Sequence, residues 1–473
     1  MSLKKRLEEY VCQFNENDEE IFKTDVLNDD ALDFLMNEIP RIEVPDKDIE
    51  RTYYFRYWVY RKHIRKTPNG HIVTEFLPDV AWAGAYNSIN CATPFHLLEG
   101  RWLKTNAYME EYIDFFLDNI GNAFSYSMAF ADAILKYASL NNRTEFLKTR
   151  YEKIKAWYEE RLKRTPEKAG LYYSVDGCDG MEFGISGSGL RPTINSYIYA
   201  DAVALKSIAE IVGKNEDAKK YWDFAQKLRE RILSGLWNGD FFVTVPECCM
   251  EDFEKGSYTI PDAHSVRELI GYVPWMYGIP KKEHESAWNY IFSSFYTRFG
   301  LTTAEQQHGR YMEKYNHECL WNGPIWPFAT SQVLTALAEY KRGGGSFSDE
   351  EYFRLLRDYA KSHRRTLEDG KEVDWIDENM SPDGIWLSRS ILEKWGFPEN
   401  KGGYERGKDY NHSMFCNLVL SDLLGIFVKN GELTVEPMIP GSWDGFKVEN
   451  LNIGEKTYSI SYTRTDGAVI TEQ

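Results

Sequence analysis

Between about residues 80 and 428, apolar residues recur at i, i+3, i+4 and i+7, the spacing that gives a helix one buried face. That period predicts helices over 103–117, 126–140, 145–162, 194–212 and 218–236. It resumes over 266–277, 286–295, 325–340, 352–363 and 414–428. The connections alternate in length. Gly213-Lys214-Asn215 is a short turn, whereas 165–193 and 365–409 are long. Connections beyond about 15 residues in a compact domain are more often functional than idle. After Gly431 the period changes to two, with Leu433, Val435, Tyr458, Ile460 and Tyr462 alternating with polar residues, and Pro437, Pro440 and Gly441 punctuating the run. Before residue 79 stands a short charged helix. The run Thr52-Tyr53-Tyr54-Phe55-Arg56-Tyr57-Trp58-Val59-Tyr60 then reads as a strand, and Pro68-Asn69-Gly70 as a hairpin turn. Helices paired in sequence, short connections at one end and long ones at the other, predict an all-α chain folded as an (α/α)6 toroid. Residues 79–430 would form it, with a β-containing entry segment at 1–78 and a small antiparallel β cap at 431–473.

Composition narrows what such a toroid binds. The net charge of −17 repels nucleic acid and anionic membrane surfaces, so neither is expected as a partner. Aromatic residues make 15% of the chain, which suits either a large helical core or a site that stacks sugar rings. No apolar stretch approaches the roughly 18 residues of a spanning helix. The start at Met1-Ser2-Leu3-Lys4-Lys5-Arg6 lacks the apolar core of a secretory signal, which points to the cytoplasm while leaving room for a leader already removed. Seven cysteines with no CxxC spacing fit reduced thiols rather than a disulfide framework or zinc site.

Two acidic motifs carry the chemistry. Cys178-Asp179-Gly180-Met181-Glu182-Phe183 precedes Arg191-Pro192-Thr193-Ile194-Asn195, and Glu378-Asn379-Met380-Ser381-Pro382-Asp383-Gly384 follows much later. Each sets a carboxylate in a glycine-marked loop beside helix-rich sequence. A glycosidic bond needs two such groups, one to protonate the leaving oxygen and one to activate water or attack the anomeric carbon. Glu182 has Met181 and Phe183 as apolar neighbours, which would desolvate it and favour its protonated form. Asp176 and Asp179 beside it allow the plainer reading of a solvated acidic loop. Glu378 competes with Asp374 and Asp377 for the second role.

At these motifs the chain resembles the inverting (α/α)6 six-hairpin glycosidases, namely glycoside hydrolase family 63, the trehalases and the mannosylglycerate-hydrolase-like group. Gly180-Met181-Glu182 looks like their Gly-Met-Asp or Gly-Trp-Asp general-acid motif, and Arg191 to Tyr197 like the stretch after it. Leu320-Trp321-Asn322-Gly323-Pro324-Ile325-Trp326-Pro327 is similar to Tyr-Trp-Arg-Gly-Pro-Ile-Trp, and the Glu378 motif to the element that supplies the general base. The resemblance spans about residues 80–428 and implies Glu182 as acid and Glu378 as base. It also has departures. Glu182 stands where relatives usually carry Asp, Asn322 where family 63 usually has Arg, and His412 where a sugar-stacking Trp is common. These changes leave the reaction type and bear on the substrate.

Around the two glutamates, candidate substrate contacts are Trp82 and Asn87, Arg191 and Asn195, Trp321 and Asn322, Trp375 and His412. His308, His317 and His412 show no i,i+4 ligand pair, so no metal is expected. Gly187-Ser188-Gly189 is too short for a phosphate cradle and there is no GxSxG elbow. The expectation is therefore an inverting glycoside hydrolase without cofactor, acting on a small α-linked glucoside or mannoside. Inversion requires carboxyl groups about 6.5–9.5 Å apart. A phosphorylase on the same barrel would need a basic site where the 165–193 loop offers only Lys168 and Arg191. The barrel would also suit an epimerase working through histidines, or a non-catalytic toroid that binds sugar. Exposed aromatics on a toroid would also suit a homodimer.

Overall fold

The computed structural model describes every residue except Met1, Lys23, Glu405 and Asn430. The chain is predominantly helical, with small antiparallel sheets at the edges of the helical body. Among the described residues no helix is long and apolar enough to cross a membrane. Most predicted helices form close to their expected limits. Thr144–Arg164 buries Phe146, Leu147, Tyr151, Ile154, Trp157 and Tyr158 along one stripe, with Glu145 in its first turn and Arg161, Lys163 and Arg164 in its last. Both ends thus oppose the helix dipole with the favourable charge. Pro192 and Pro327 occupy the first turns of Pro192–Ile211 and Pro327–Arg342, where a missing N–H costs nothing. Asp349–Ser362 begins with a capping box in which Ser348 and Glu351 satisfy each other's backbone N–H groups.

The clearest correction lies in the entry segment. Thr52 to Tyr60 is helical, within Lys47–His63, and nearly every residue from Ile49 onwards is buried. A helix covered on all faces shows no polar stripe, so its aromatic and β-branched content mimics a strand. Its start is fixed by Asp46, whose carboxylate accepts the N–H groups of Asp48 and Ile49. The predicted hairpin does form, Ile64–Thr67 against Gly70–Val73.

The predicted helix over 266–277 is a 3-10 helix, Leu269–Tyr277, with Pro274 inside it. The one over 286–295 divides into a 3-10 segment, Lys282–Asn289, and a π segment, Ile291–Phe295. The last one turns as a helix only to Leu423; Ile426–Lys429 then pairs with Glu432–Val435 as a hairpin. Three strands follow, Gly445–Ile453, Lys456–Thr463 and Gly467–Glu472. The entry segment adds the fourth: Arg41–Glu43 pairs antiparallel with Gly445–Ile453, setting Ile42 opposite Val448.

Candidate active site

Three loops meet at one cavity of about 210 Å³. In the first, Leu171–Ser174 leads into a 3-10 turn over Asp176–Asp179, which Gly180 closes at φ +68°. A side chain there would be strained, and its Cβ would come within 2.9 Å of Cys91 Sγ. Asp179 is buried and pins the turn. It accepts from Arg191 Nε at 2.6 Å, from Ser174 at 3.2 Å, and from Ser127 and Thr193. Glu182 leaves this turn half-buried against the cavity. Burial raises its carboxyl above the ordinary range, and the charge of Glu378 adds to the shift; the Cys319 thiol and His317 pull the other way.

In the second loop Glu378 is buried beside Asp377. Arg406 pairs with Glu378 Oε1, and Ser388 donates to Oε2 at 3.1 Å. Asp377 accepts the backbone N–H groups of Glu378 at 2.6 Å and Arg389 at 2.7 Å, which orients the loop. Burial, with Glu378 adjacent, pushes Asp377 up to about 7. Arg406 also reaches Glu318 at 2.7 Å, and Lys401 reaches the same oxygen at 2.9 Å. Burial alone would raise Glu318; the two cations overrule it and hold that carboxyl at about 2.

The third loop lies between the others and is bonded to both. Trp321 N–H donates to Glu182 O at 3.0 Å, while Ile325 exchanges two backbone bonds with Met380 at 2.7 and 2.8 Å. The short segment from Trp321 to Ile325 therefore sets the relative placement of the two glutamate loops. Trp321 stacks on Trp326 with ring centres 4.2 Å apart.

Of the residues expected from sequence, Glu182, Glu378, Trp82, Trp321 and His412 line the cavity. The others stand behind it. Asn87 braces the preceding loop through Val80 N–H, Phe76 O and Pro78 O. Arg191 is held by Asp179 and Gly187 O. Asn195 bridges the backbone of Tyr172 and that of Arg191. Asn322 donates to Glu313 O, and Trp375 is buried beneath the Arg365 guanidinium.

Sequence reading missed Glu75, Glu318, Cys319 and Arg406, which also line the cavity. Glu75 is buried, takes a hydrogen bond from Tyr410, and lies 3.6 Å from His412 Nδ1. Burial pushes it up to about 8, with Glu378 and Glu182 adding repulsion and Tyr410 opposing. Its signal was an acid in the apolar run Ile72-Val73-Thr74-Glu75-Phe76-Leu77. Arg406 had a weaker one, an arginine between Lys401 and Lys408 near the end of a glycine-rich loop. Its guanidinium lies under Trp82 at 4.8 Å.

Residues 85–413 match the family model described as the mannosylglycerate hydrolase MGH1-like glycoside hydrolase domain. Among solved structures, one titled "Sialidase" is 31% identical with a TM-score of 0.87, over 99% of this chain and 43% of that one. The α-L-rhamnosidase from Dictyoglumus thermophilum is 14% identical with a TM-score of 0.52, over 90% and 43% of the two chains. The GH63 mannosylglycerate hydrolase from Thermus thermophilus, in complex with glucose, is 10% identical with a TM-score of 0.54, over 78% and 98%. The chain thus spans less than half the length of the first two structures. No curated protein matches it.

Proposed function

Because the chain belongs to the MGH1-like glycoside hydrolase family, we propose that it hydrolyses a small α-linked glucoside or mannoside with inversion at the anomeric carbon. The helices over residues 79–430 are read as an (α/α)6 toroid, with 1–78 and 431–473 packed on it. Glu182 is the general acid and Glu378 the general base. One observation carries this reading: the two carboxyls share a cavity in contrasting surroundings. Glu182 is raised by burial beside a thiol, whereas Glu378 is paired with Arg406 and bonded to Ser388. One carboxyl desolvated beside a weak donor and one held by a guanidinium and a hydroxyl are the contrast that divides acid from base in such a pair.

In the reaction Glu182 gives its proton to the glycosidic oxygen as the bond to the anomeric carbon breaks. Glu378 takes a proton from water as that water attacks from the opposite face. Arg406 and Ser388 hold the Glu378 carboxyl in place for that attack. The cavity of about 210 Å³ favours a disaccharide or a sugar on a short aglycone over a polymer chain. Trp82, half-exposed and stacked over Arg406, offers an aromatic face for the incoming ring.

The test is a panel of α-glucosides, α-mannosides and their glycerates, with the released anomer followed by NMR. We expect the β anomer first, and a loss of roughly 10²–10⁴ in kcat for Glu182→Gln and for Glu378→Gln. Release of the α anomer, or turnover surviving either change, overturns the assignment.

A further inference from the structure

Glu182 is one methylene longer than the aspartate the resemblance implies, so its carboxyl has an additional torsion to settle. One contact anchors the backbone from which that side chain springs, and a second fixes the carboxyl itself. Trp321 N–H holds the Glu182 backbone oxygen at 3.0 Å. Cys319 Sγ lies 3.1 Å from Glu182 Oε2, with the thiol as donor. Cys319 is itself fixed by His317, whose Nδ1 accepts the Cys319 N–H at 3.0 Å. Burial, with Glu182 and Glu378 adding repulsion, raises the thiol well above its ordinary range, so it keeps its proton.

A neutral carboxyl carries its proton on one oxygen. The oxygen that accepts a thiol is the carbonyl one, which leaves the proton on Oε1. We propose that Cys319 is a positioning residue for the acid step: its thiol claims Oε2 of Glu182 and so presents the proton-bearing Oε1 to the glycosidic oxygen. The inference rests on Glu182 being the acid. As the step proceeds, the Oε1–H bond breaks and its proton passes to the glycosidic oxygen. The electron pair of the anomeric C–O bond leaves with that oxygen, and the resulting carboxylate keeps the thiol bond on Oε2. A thiol is a weak donor, so it orients the acid without strongly favouring its charged form, as a hydroxyl or an amide would.

The titration of Glu182 is also shaped by the groups facing it. These are Glu378 and Glu75, His317, and the Cys91 and Tyr126 side chains, with Cys178 on its own loop. The experiment therefore compares variants that leave all of these in place. On a substrate the wild type hydrolyses, pH profiles of kcat and kcat/KM are measured for Cys319→Ala and Cys319→Ser beside Glu182→Gln. Cys319→Ala is expected to lower kcat roughly tenfold with little change in KM and to move the alkaline limb upward, since a donor to the charged form is gone. Cys319→Ser is expected to restore most of kcat and to move that limb below the wild type, because a hydroxyl donates more strongly. An unchanged kcat and limb in Cys319→Ala, with Glu182→Gln inactive, overturns this inference alone. Turnover in Glu182→Gln overturns the acid assignment and the inference with it. Infrared spectroscopy adds a readout that needs no substrate. The S–H stretch lost in Cys319→Ala should lie lower in the wild type than in Glu182→Ala, and an unmoved band overturns the contact.

Discussion

A carboxylic acid at about 8 is a liability to the fold above neutral pH, and Glu75 is such a group. Its ordinary value is 4.5, so between about 4.5 and 8 the native state binds a proton that the unfolded chain has released. Stability contributed by that proton is full below 4.5 and is lost as pH rises through 8. Asp377 and Glu99, each pushed up to about 7 by burial, act in the same direction. Glu75→Gln keeps the shape and removes the titration. Its melting temperature should therefore fall less than that of the wild type between pH 5 and pH 8, by an amount worth a few kcal/mol at most. An equal fall in both proteins would mean that Glu75 is already charged at neutral pH. Glu182 and Glu378 were legible in the sequence because glycines and an ordered set of neighbours frame them. Glu75, Cys319 and Arg406 were not, because their meaning lies in partners far along the chain, such as Tyr410 for Glu75 and Glu182 for Cys319. Conversely, Arg191 and Asn195 stand in a matching motif yet point their polar groups at backbone and Asp179. Neighbourhood in sequence located the loop there, not the wall of the cavity.

The helices show the same division between local and distant information. Amphipathic ones such as Thr144–Arg164 declare themselves, since one face meets water and the period survives. Lys47–His63 does not, because its neighbours cover every face. What does specify it is Asp46 at its N-terminus, a local signal outweighed by the aromatic and β-branched residues that fill the run. Asp46→Ala leaves the N–H groups of Asp48 and Ile49 without their acceptor. The expected cost is about 1 kcal/mol in urea unfolding, and a change within error would show that packing alone sets where the helix begins. The 3-10 form of Leu269–Tyr277 was equally masked by its apolar period, within which Pro274 removes an N–H.

Across the whole molecule, the entry segment and the C-terminal sheet are one structure. Ile42 is fully buried opposite Val448, a pairing that no local pattern announces. Ile42→Ala should cost about 2–5 kcal/mol and loosen both ends together. Hydrogen exchange would report this as faster exchange in Gly445–Ile453 as well as in Arg41–Glu43; exchange confined to the first strand would show that the two are independent. This shared sheet also governs how the protein is made. Arg41 and Glu449 are 408 residues apart, and a ribosome adding roughly 5–20 residues per second needs about 20–80 s to cover that distance. Through all of that time the strand at Arg41–Glu43 is translated but unpaired, an open edge beside a growing helical body. The nascent chain can assemble its helices as they emerge, yet this sheet cannot close until Gly445–Ile453 has left the exit tunnel.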